Sequence, residues 1–249
     1  MSANSLSGKT ILITGAAHRI GAQMTRILHE NGANIVLHYR NSSTAAEALQ
    51  NELQAIRANS IKLVQADLHQ TGTLKDLIEQ AVAGWGQLDG LINNASSFYP
   101  TLVETATEEQ WDDLIGTNLK APFFLSQAAA PHLSKTEGCI VNIVDIHADR
   151  PLKAYPIYSM AKAGLVMMTR ALACELGPEV RVNAIAPGAI LWPENDMDEA
   201  TQEKIISRTF LKRKGTPEDI ARTALFLIRD ADYISGQVIT VDGGRSLNS

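Results

Sequence analysis

Only two cysteines, Cys139 and Cys174, occur in 249 residues. Neither has a partner at metal-ligand or redox-motif spacing, which argues against a zinc site, a dithiol redox centre and a disulfide framework. Both lie in apolar stretches and are expected as buried reduced thiols. Aromatic residues make up only 5% of the chain. No apolar run approaches the roughly 20 residues that a membrane-spanning helix needs. The segment Met1 to Thr10 holds no apolar core of the kind that marks a secretory signal, so a cytoplasmic protein is the expectation. A basic excess is also missing. Twenty-two Lys and Arg stand against 27 Asp and Glu, a formal charge of -5, which argues against a general nucleic-acid surface. Lys212-Arg213-Lys214 is a short basic run that reads as a solvated turn. No low-complexity linker divides the chain, so a single domain over residues 1–249 is expected. The irregular stretch from Pro187 to about Asp198 reads as a lid over a site.

What is present is alternation, in a chain of ordinary globular composition, 45% apolar and 20% charged. Short β-type runs recur at Thr10–Thr14, Ala33–His38, Ile61–Gln65, Leu88–Ile92, Cys139–Val144, Val180–Ile185 and Gln237–Val241. Segments of helical period lie between them, at Gly21–Glu30, Thr44–Arg57, Thr73–Ala83, Glu108–Leu133, Pro156–Leu176 and Pro217–Arg229. Repeated β-α-β units predict an α/β fold, a single doubly wound, Rossmann-type parallel sheet of about seven strands with helices on both faces.

The first strand runs into Thr14-Gly15-Ala16-Ala17-His18-Arg19-Ile20-Gly21 and then a helix. Small residues at such a turn let the backbone approach a pyrophosphate, which the helix N-terminus stabilises. The three-glycine form of this motif is incomplete, since Arg19 stands at the middle position. A glycine turn without a ligand is the plainer alternative. The second strand ends in His38-Tyr39-Arg40-Asn41-Ser42-Ser43, with no acid to receive the ribose hydroxyl of NAD. Arg40 and the neighbouring hydroxyls suit a 2′-phosphate instead, which points to NADPH. His38, Arg40 and Ser42 therefore join Gly15, Arg19 and Ile20 as cofactor candidates. Asp67 is either an acceptor for the adenine amino group or a helix N-cap.

Tyr158-Ser159-Met160-Ala161-Lys162 places a phenol and an ammonium one helical turn apart on one face. An ammonium favours the phenolate, so Lys162 is expected to lower the Tyr158 pKa toward working pH. Asp145 lies thirteen positions before the tyrosine.

Together these residues resemble the short-chain dehydrogenase/reductase family, over nearly the whole chain. The matching elements are the Thr14-Gly15…Gly21 turn, Asp67-Leu68, Asn93-Asn94-Ala95, Asn118, Tyr158…Lys162, Pro187-Gly188 and Val241-Asp242-Gly243-Gly244. The resemblance implies a proton relay of Asn118, Tyr158 and Lys162, with Lys162 also holding the nicotinamide ribose. It adds Asn94, Ala95, Ser96, Pro187 and Gly188 to the cofactor-binding set. A homotetramer through the helices near 108–133 and 156–176 is a further implication.

Where that family usually carries a serine, this chain has Asp145. A carboxylate is a poor partner for a developing alkoxide but suits a ring with nitrogens that exchange protons. Arg19, the run Asn93-Asn94-Ala95-Ser96-Ser97-Phe98-Tyr99-Pro100-Thr101, Val144-Asp145, and Arg150-Pro151-Leu152…Tyr155-Pro156-Ile157-Tyr158 resemble the pteridine reductase branch. That resemblance implies a pterin or folate substrate, with Phe98 stacked on the ring and Ser96 and Arg19 hydrogen-bonding it and the cofactor phosphates. Asp145 and Tyr158 are then the proton donors. Phe98 as a core aromatic is the alternative. Trp192 either closes over the substrate or packs within the lid. His18, His147 and Tyr155 border the site without an assigned role. Two other functions remain in play: reduction of another carbonyl compound, such as a 3-oxoacyl thioester or a sugar, and non-catalytic NADP binding.

Overall fold

Seven short runs dominated by branched aliphatic residues become strands, and the inner five are buried from both sides. The computed structural model describes residues 5–191 and 198–248. The strands are β1 (Thr10–Ile13), β2 (Asn34–Tyr39), β3 (Ile61–Gln65), β4 (Gly90–Asn93), β5 (Cys139–Ile143), β6 (Arg181–Pro187) and β7 (Val238–Val241). They pair in parallel, in the order β3-β2-β1-β4-β5-β6-β7. The chain builds outward from β1 to β3, then returns to the other side of β1 with β4. The crevice beyond the carboxyl ends of β1 and β4 is therefore the switch point, where such sheets bind ligands.

The helices are α1 (Arg19–Glu30), α2 (Ser43–Ile56), α3 (Leu74–Ala83), α4 (Glu108–Ile115), α5 (Ala121–Leu133), α6 (Pro156–Leu176), α7 (Glu199–Ser207) and α8 (Pro217–Arg229). Successive strand residues point to opposite faces, and the core divides accordingly. Ile11, Ile13, Ile35, Leu37, Val141 and Ile185 pack with Met24 and Leu28 of α1, Leu49 of α2 and Ile220 and Leu227 of α8. Leu12, Val36, Leu91, Ile140 and Val182 pack with Leu77 and Ile78 of α3 and Leu125 and Leu133 of α5. This is the doubly wound arrangement that the alternation predicts.

Three expectations change. The helical segment 108–133 is not continuous: α4 and α5 are separated by a single wide π turn at Gly116–Lys120. Pro122 has no N–H to give the carbonyl four residues back, which is that of Asn118, so the regular ladder cannot pass. The Asn118 side-chain amide donates to the Leu114 carbonyl instead, at 2.9 Å. A further helix, α7, starts where Asp198 accepts the Thr201 N–H at 2.8 Å. Its polar sequence carries no apolar stripe, which left it unreadable in advance. Cys139 is buried as expected, but Cys174 is exposed. It sits on the outward side of α6, within an apolar stretch that the helix does not bury completely. Of the stretch from Pro187 to Asp198, Pro187 closes β6 and residues 192–197 lie outside the described residues.

A buried polar chain crosses this core. Asn93 Nδ2 donates to Asn142 Oδ1 at 2.8 Å and Asn142 Nδ2 donates to Thr169 Oγ1 at 2.9 Å, joining β4, β5 and α6. Asn142→Ala leaves the Asn93 amide and the Thr169 hydroxyl without this partner, and an unsatisfied buried group costs about 1–3 kcal/mol. Urea unfolding of that variant is expected to show a loss in that range; an unchanged midpoint would contradict the role given to the chain.

Candidate active site

The β1–α1 turn is shaped by contacts that leave no room for side chains. Gly15 adopts φ +61°, and a Cβ on Gly21 would lie 2.3 Å from the Gly15 carbonyl oxygen and 2.8 Å from Asn94 Nδ2. Thr14 Oγ1 accepts the backbone N–H of Asn94 at 2.9 Å and of Ala95 at 3.0 Å, and Asn94 Nδ2 donates to the carbonyl oxygens of Thr14 and Gly15. Arg19, first residue of α1, sits at φ +51°. It keeps the left-handed backbone that glycine usually supplies, at a cost of about 1–2 kcal/mol. The result is an open backbone cradle at a helix N-terminus with a cation beside it, the donor set that a pyrophosphate needs. Ile20 packs partly against the core beneath the turn.

His38 is not available to a cofactor. Its Nδ1 accepts the Gly15 N–H at 3.1 Å and its Nε2 donates to the Ala66 carbonyl at 3.1 Å. Burial holds its pKa down to about 4, so the ring is neutral and consistent with that pairing. It braces the turn from beneath, which corrects the expectation of a direct contact. Arg40, Asn41, Gln65, Ala66 and Asp67 line a cavity of about 380 Å³ at the ends of β2 and β3. Arg40 is exposed there, and Ser42 precedes α2 without capping it through its side chain. Asp67 lines this cavity and accepts the His69 N–H at 3.1 Å within the turn after β3; it does not cap a helix, since Thr73 precedes α3. A dinucleotide fits this layout, with its adenosine end at Arg40 and Asp67 and its pyrophosphate at the glycine turn. On the far side, Gly188 packs so closely on Asp242 that a Cβ would stand 2.6 Å from that side chain. Pro187 and Gly188 thus form a bare edge beside the crevice.

The chemistry-bearing groups converge beyond β4 and β5. Tyr158 Oη donates to Asp145 Oδ2 at 2.8 Å, and the other carboxylate oxygen of Asp145 accepts the His147 N–H at 2.8 Å. Lys162 is buried, with Nζ donating to the Ile143 carbonyl at 2.9 Å and lying 5.6 Å from the Tyr158 ring centroid. Ser96 Oγ donates to Asn118 Oδ1 at 2.6 Å, while Asn118 Nδ2 donates to the Ser97 carbonyl at 3.0 Å. Phe98 is 45% exposed, stacked on Tyr155 at 4.6 Å and edge-on to Tyr158 at 4.8 Å. It is therefore not a core aromatic. Tyr155 gains a role as its backing, and one face of Phe98 can receive a flat ring.

The electrostatics reverse one expectation. Tyr158 is held well above the ordinary tyrosine range, first by burial and then by the Asp145 charge, with only a Ser96 hydrogen bond opposing. Lys162 directs one N–H to Ile143 and stands 5.6 Å from the Tyr158 ring centroid, and burial and Asp145 outweigh it. Burial lowers its own pKa to about 8, against the pull of Asp145. At neutral pH Tyr158 is therefore a neutral phenol that donates to Asp145, beside the Lys162 cation.

Thr14, Ser97, Tyr99, Asp113 and Arg245 also shape this region without having stood out as candidates. Arg245 follows the terminal Gly243-Gly244; burial lowers its pKa, and Asp145 is the largest charge opposing that. Only the adjacent glycine pair could have flagged it. His147 contributes its backbone N–H to Asp145, and its ring faces the Arg150 carbonyl at 2.9 Å. His18 is exposed before α1 and makes no side-chain cap. Trp192 lies outside the described residues.

A sheet of this order with a glycine-turn cradle and a Tyr–Lys–Asn constellation defines an NAD(P)-dependent oxidoreductase. The comparisons place it more closely. A family model described as enoyl-(acyl carrier protein) reductase matches residues 15–246. Pteridine reductase 1 of Leishmania tarentolae is 35% identical, covering 95% of this chain and 96% of that protein. A 3-oxoacyl-[acyl-carrier-protein] reductase FabG of Staphylococcus aureus is also 35% identical, over 95% of this chain and 97% of its own length. Its Thermotoga maritima counterpart is 36% identical, over 96% and 98%. The chain belongs to the short-chain dehydrogenase/reductase family. The alignment with the Leishmania protein runs over 277 positions, more than the 249 residues of this chain, so that relative carries insertions absent here. Among the described residues, no helix is long and apolar enough to cross a membrane.

Two outcomes follow. Gly21→Ala drives a methyl group into the Gly15 carbonyl and Asn94, and titration with NAD(P)H is expected to show at least tenfold weaker binding; equal affinity would refute the cradle. Lys162 is protonated below about pH 8. A neutral amine is a weaker donor to a ribose hydroxyl, so NAD(P)H affinity should fall as pH rises through 8. In Lys162→Arg, which stays charged, that fall should move to higher pH; an identical profile would remove Lys162 from the cofactor site.

Proposed function

We propose that this protein is an NADPH-dependent pteridine reductase that converts a dihydropterin to its tetrahydro form, and accepts oxidised pterins or dihydrofolate as related substrates. The observation that carries this reading is the 2.8 Å hydrogen bond from Tyr158 to Asp145. A carbonyl reductase stabilises negative charge on oxygen, and a carboxylate beside that oxygen opposes it. A pterin asks for something else: a proton at a ring nitrogen and acceptors for its amino and N–H groups. A carboxylate supplies the second, and the Tyr158 phenol supplies the first.

When bound, NADPH supplies a hydride to C6 of the dihydropterin imine; the matching proton goes to N5. Tyr158 keeps its proton through neutral pH and is placed to donate it. Once that proton leaves, Tyr158 and Asp145 carry two negative charges, and Lys162 offsets them from the buried side. Solvent then reprotonates the pair. Phe98 receives one face of the ring, backed by Tyr155. Arg40 at the 380 Å³ cavity supports NADPH over NADH, since its guanidinium can pair with a 2′-phosphate. Gly15, Arg19, Asn94, Ala95, Pro187 and Gly188 border the remainder of the cofactor in this reading, with Ser96 between cofactor and substrate.

We further propose a homotetramer built on α4, α5 and α6. These helices expose Trp111, Phe123, Phe124, Met160 and Met167, an apolar surface that a second copy would cover.

Reduction of 3-oxoacyl thioesters has support in the equal identity of the FabG relatives, and a substrate panel separates it. NADPH oxidation is expected with 7,8-dihydrobiopterin and absent with a 3-oxoacyl thioester, with NADH at least tenfold poorer. Turnover of the thioester alone would overturn the reading. Tyr158→Phe should lose 10²-fold or more in turnover with NADPH binding within about twofold of the parent; retained turnover would remove Tyr158 as the donor.

A further inference from the structure

Phe98 sits on a loop and is half exposed, and its ring contacts with Tyr155 and Tyr158 fix one side of it only. Its two chain neighbours anchor the loop itself. Ser97 Oγ donates to Asp113 Oδ1 at 3.4 Å, and Tyr99 Oη donates to Asp113 Oδ2 at 2.9 Å. Each carboxylate oxygen of one residue thus takes the side chain on one side of Phe98. Asp113 is itself fixed. It lies on α4, whose start is closed by a capping box between Thr107 and Gln110, and its Oδ1 is 3.0 Å from His69 Nε2, which reaches across from the β3–α3 connection. Thr117 joins the group, 3.0 Å from His69 Nε2 and 3.3 Å from Ser97 Oγ.

We propose that Asp113 is a positioning residue that holds the Phe98 platform in register with Tyr158. An ionised carboxylate has acceptors only, so it can take a serine, a tyrosine and a histidine donor together. An amide of the same shape cannot, because its NH₂ turns against one of them. Burial and the Asp113 contact push the Tyr99 pKa up to about 12, in keeping with a phenol that keeps its proton as donor. The constraint extends to the chemistry. Tyr99 packs with Leu114, Ile157 and Tyr158, and the Ser97 carbonyl accepts from Asn118. Fixing residues 97 and 99 therefore sets Phe98 against both halves of the proton-handling group. A loose platform would still bind cofactor, since the glycine cradle and Arg40 lie elsewhere. What it would lose is the ordering of a flat ring before reaction.

The substrate half of this inference rests on the pterin reading, whereas the anchoring half does not, and the experiment separates them. In Asp113→Asn, amide hydrogen exchange in the segment 95–100 is expected to accelerate at least threefold, with the β-strands unchanged. In the same variant the KM for dihydrobiopterin should rise at least fivefold, while kcat and the NADPH dissociation constant stay within about twofold. Asp113→Glu, which restores the charge, should recover at least half of both effects. Should Asp113→Asn fold poorly, Tyr99→Phe removes one anchor and should move both readouts in the same direction by a smaller factor. Unchanged exchange at 95–100 overturns the anchoring. An unchanged KM in a variant of an active parent overturns its role in binding. A parent inactive on every pterin would defeat the pterin reading, leaving the exchange measurement to decide the anchoring.

Discussion

The hydrogen bond between Tyr158 and Asp145 is the interaction on which the reacting end of this molecule depends. It joins the carboxyl end of β5 to the first turn of α6, and Lys162 reinforces the same junction one helical turn on by donating to Ile143. Two carboxylate oxygens, one phenol and one ammonium are thereby held in a pocket that burial makes electrostatically sensitive. Burial alone would raise the tyrosine and lower the lysine; the carboxylate between them raises both. The phenol consequently remains an acid. A serine in place of Asp145 would leave Tyr158 facing the lysine with no competing charge, which is the setting that favours a phenolate.

The crevice divides its work along the edge of the sheet. At β1, β2 and β3 lie the groups suited to a dinucleotide: glycines that admit no Cβ, a helix start, and Arg40 beside Asp67. His38 and Thr14 act there as internal braces, both fully occupied with backbone groups. At β4 and β5 the side chains do the work, and the loop after β4 connects the two halves. Asn94 and Ala95 are tied to the cofactor turn, Ser96 and Ser97 to Asn118, and Ser97 and Tyr99 to Asp113. A single stretch of six residues thus joins the glycine turn to the exposed Phe98 ring and the Tyr158 group.

Much of the architecture is readable from the chain because the physics is local. Alternating aliphatic strands and amphipathic helices determine the sheet, and a four-residue spacing puts Tyr158 and Lys162 on one face. The glycine turn and Asn94 are likewise carried by short motifs. The remainder depends on who is packed against whom. The direction of the Tyr158 shift follows from burial and from Asp145, and spacing conveys neither. His38 stands in the expected place, but its nitrogens are spent on groups 23 and 28 residues away in sequence. The break between α4 and α5 needs Pro122 and the Asn118 side chain to act together. Asp113 gives no local sign, since an acid on a helix is ordinary until Ser97 and Tyr99 are brought to it. Cys174 is exposed because an apolar stretch of helix still has an outward side.

In the proposed pterin reduction, the carboxyl group at position 145 takes part in proton handling beyond shaping the pocket. Asp145→Asn keeps the size of the side chain while removing its charge and one of the two acceptor oxygens that take Tyr158 and His147. Turnover of dihydrobiopterin by that variant, at saturating NADPH, is the direct measurement. A loss of about 10²-fold or more with NADPH affinity preserved is expected; a rate within about threefold of the parent would contradict the role given to Asp145.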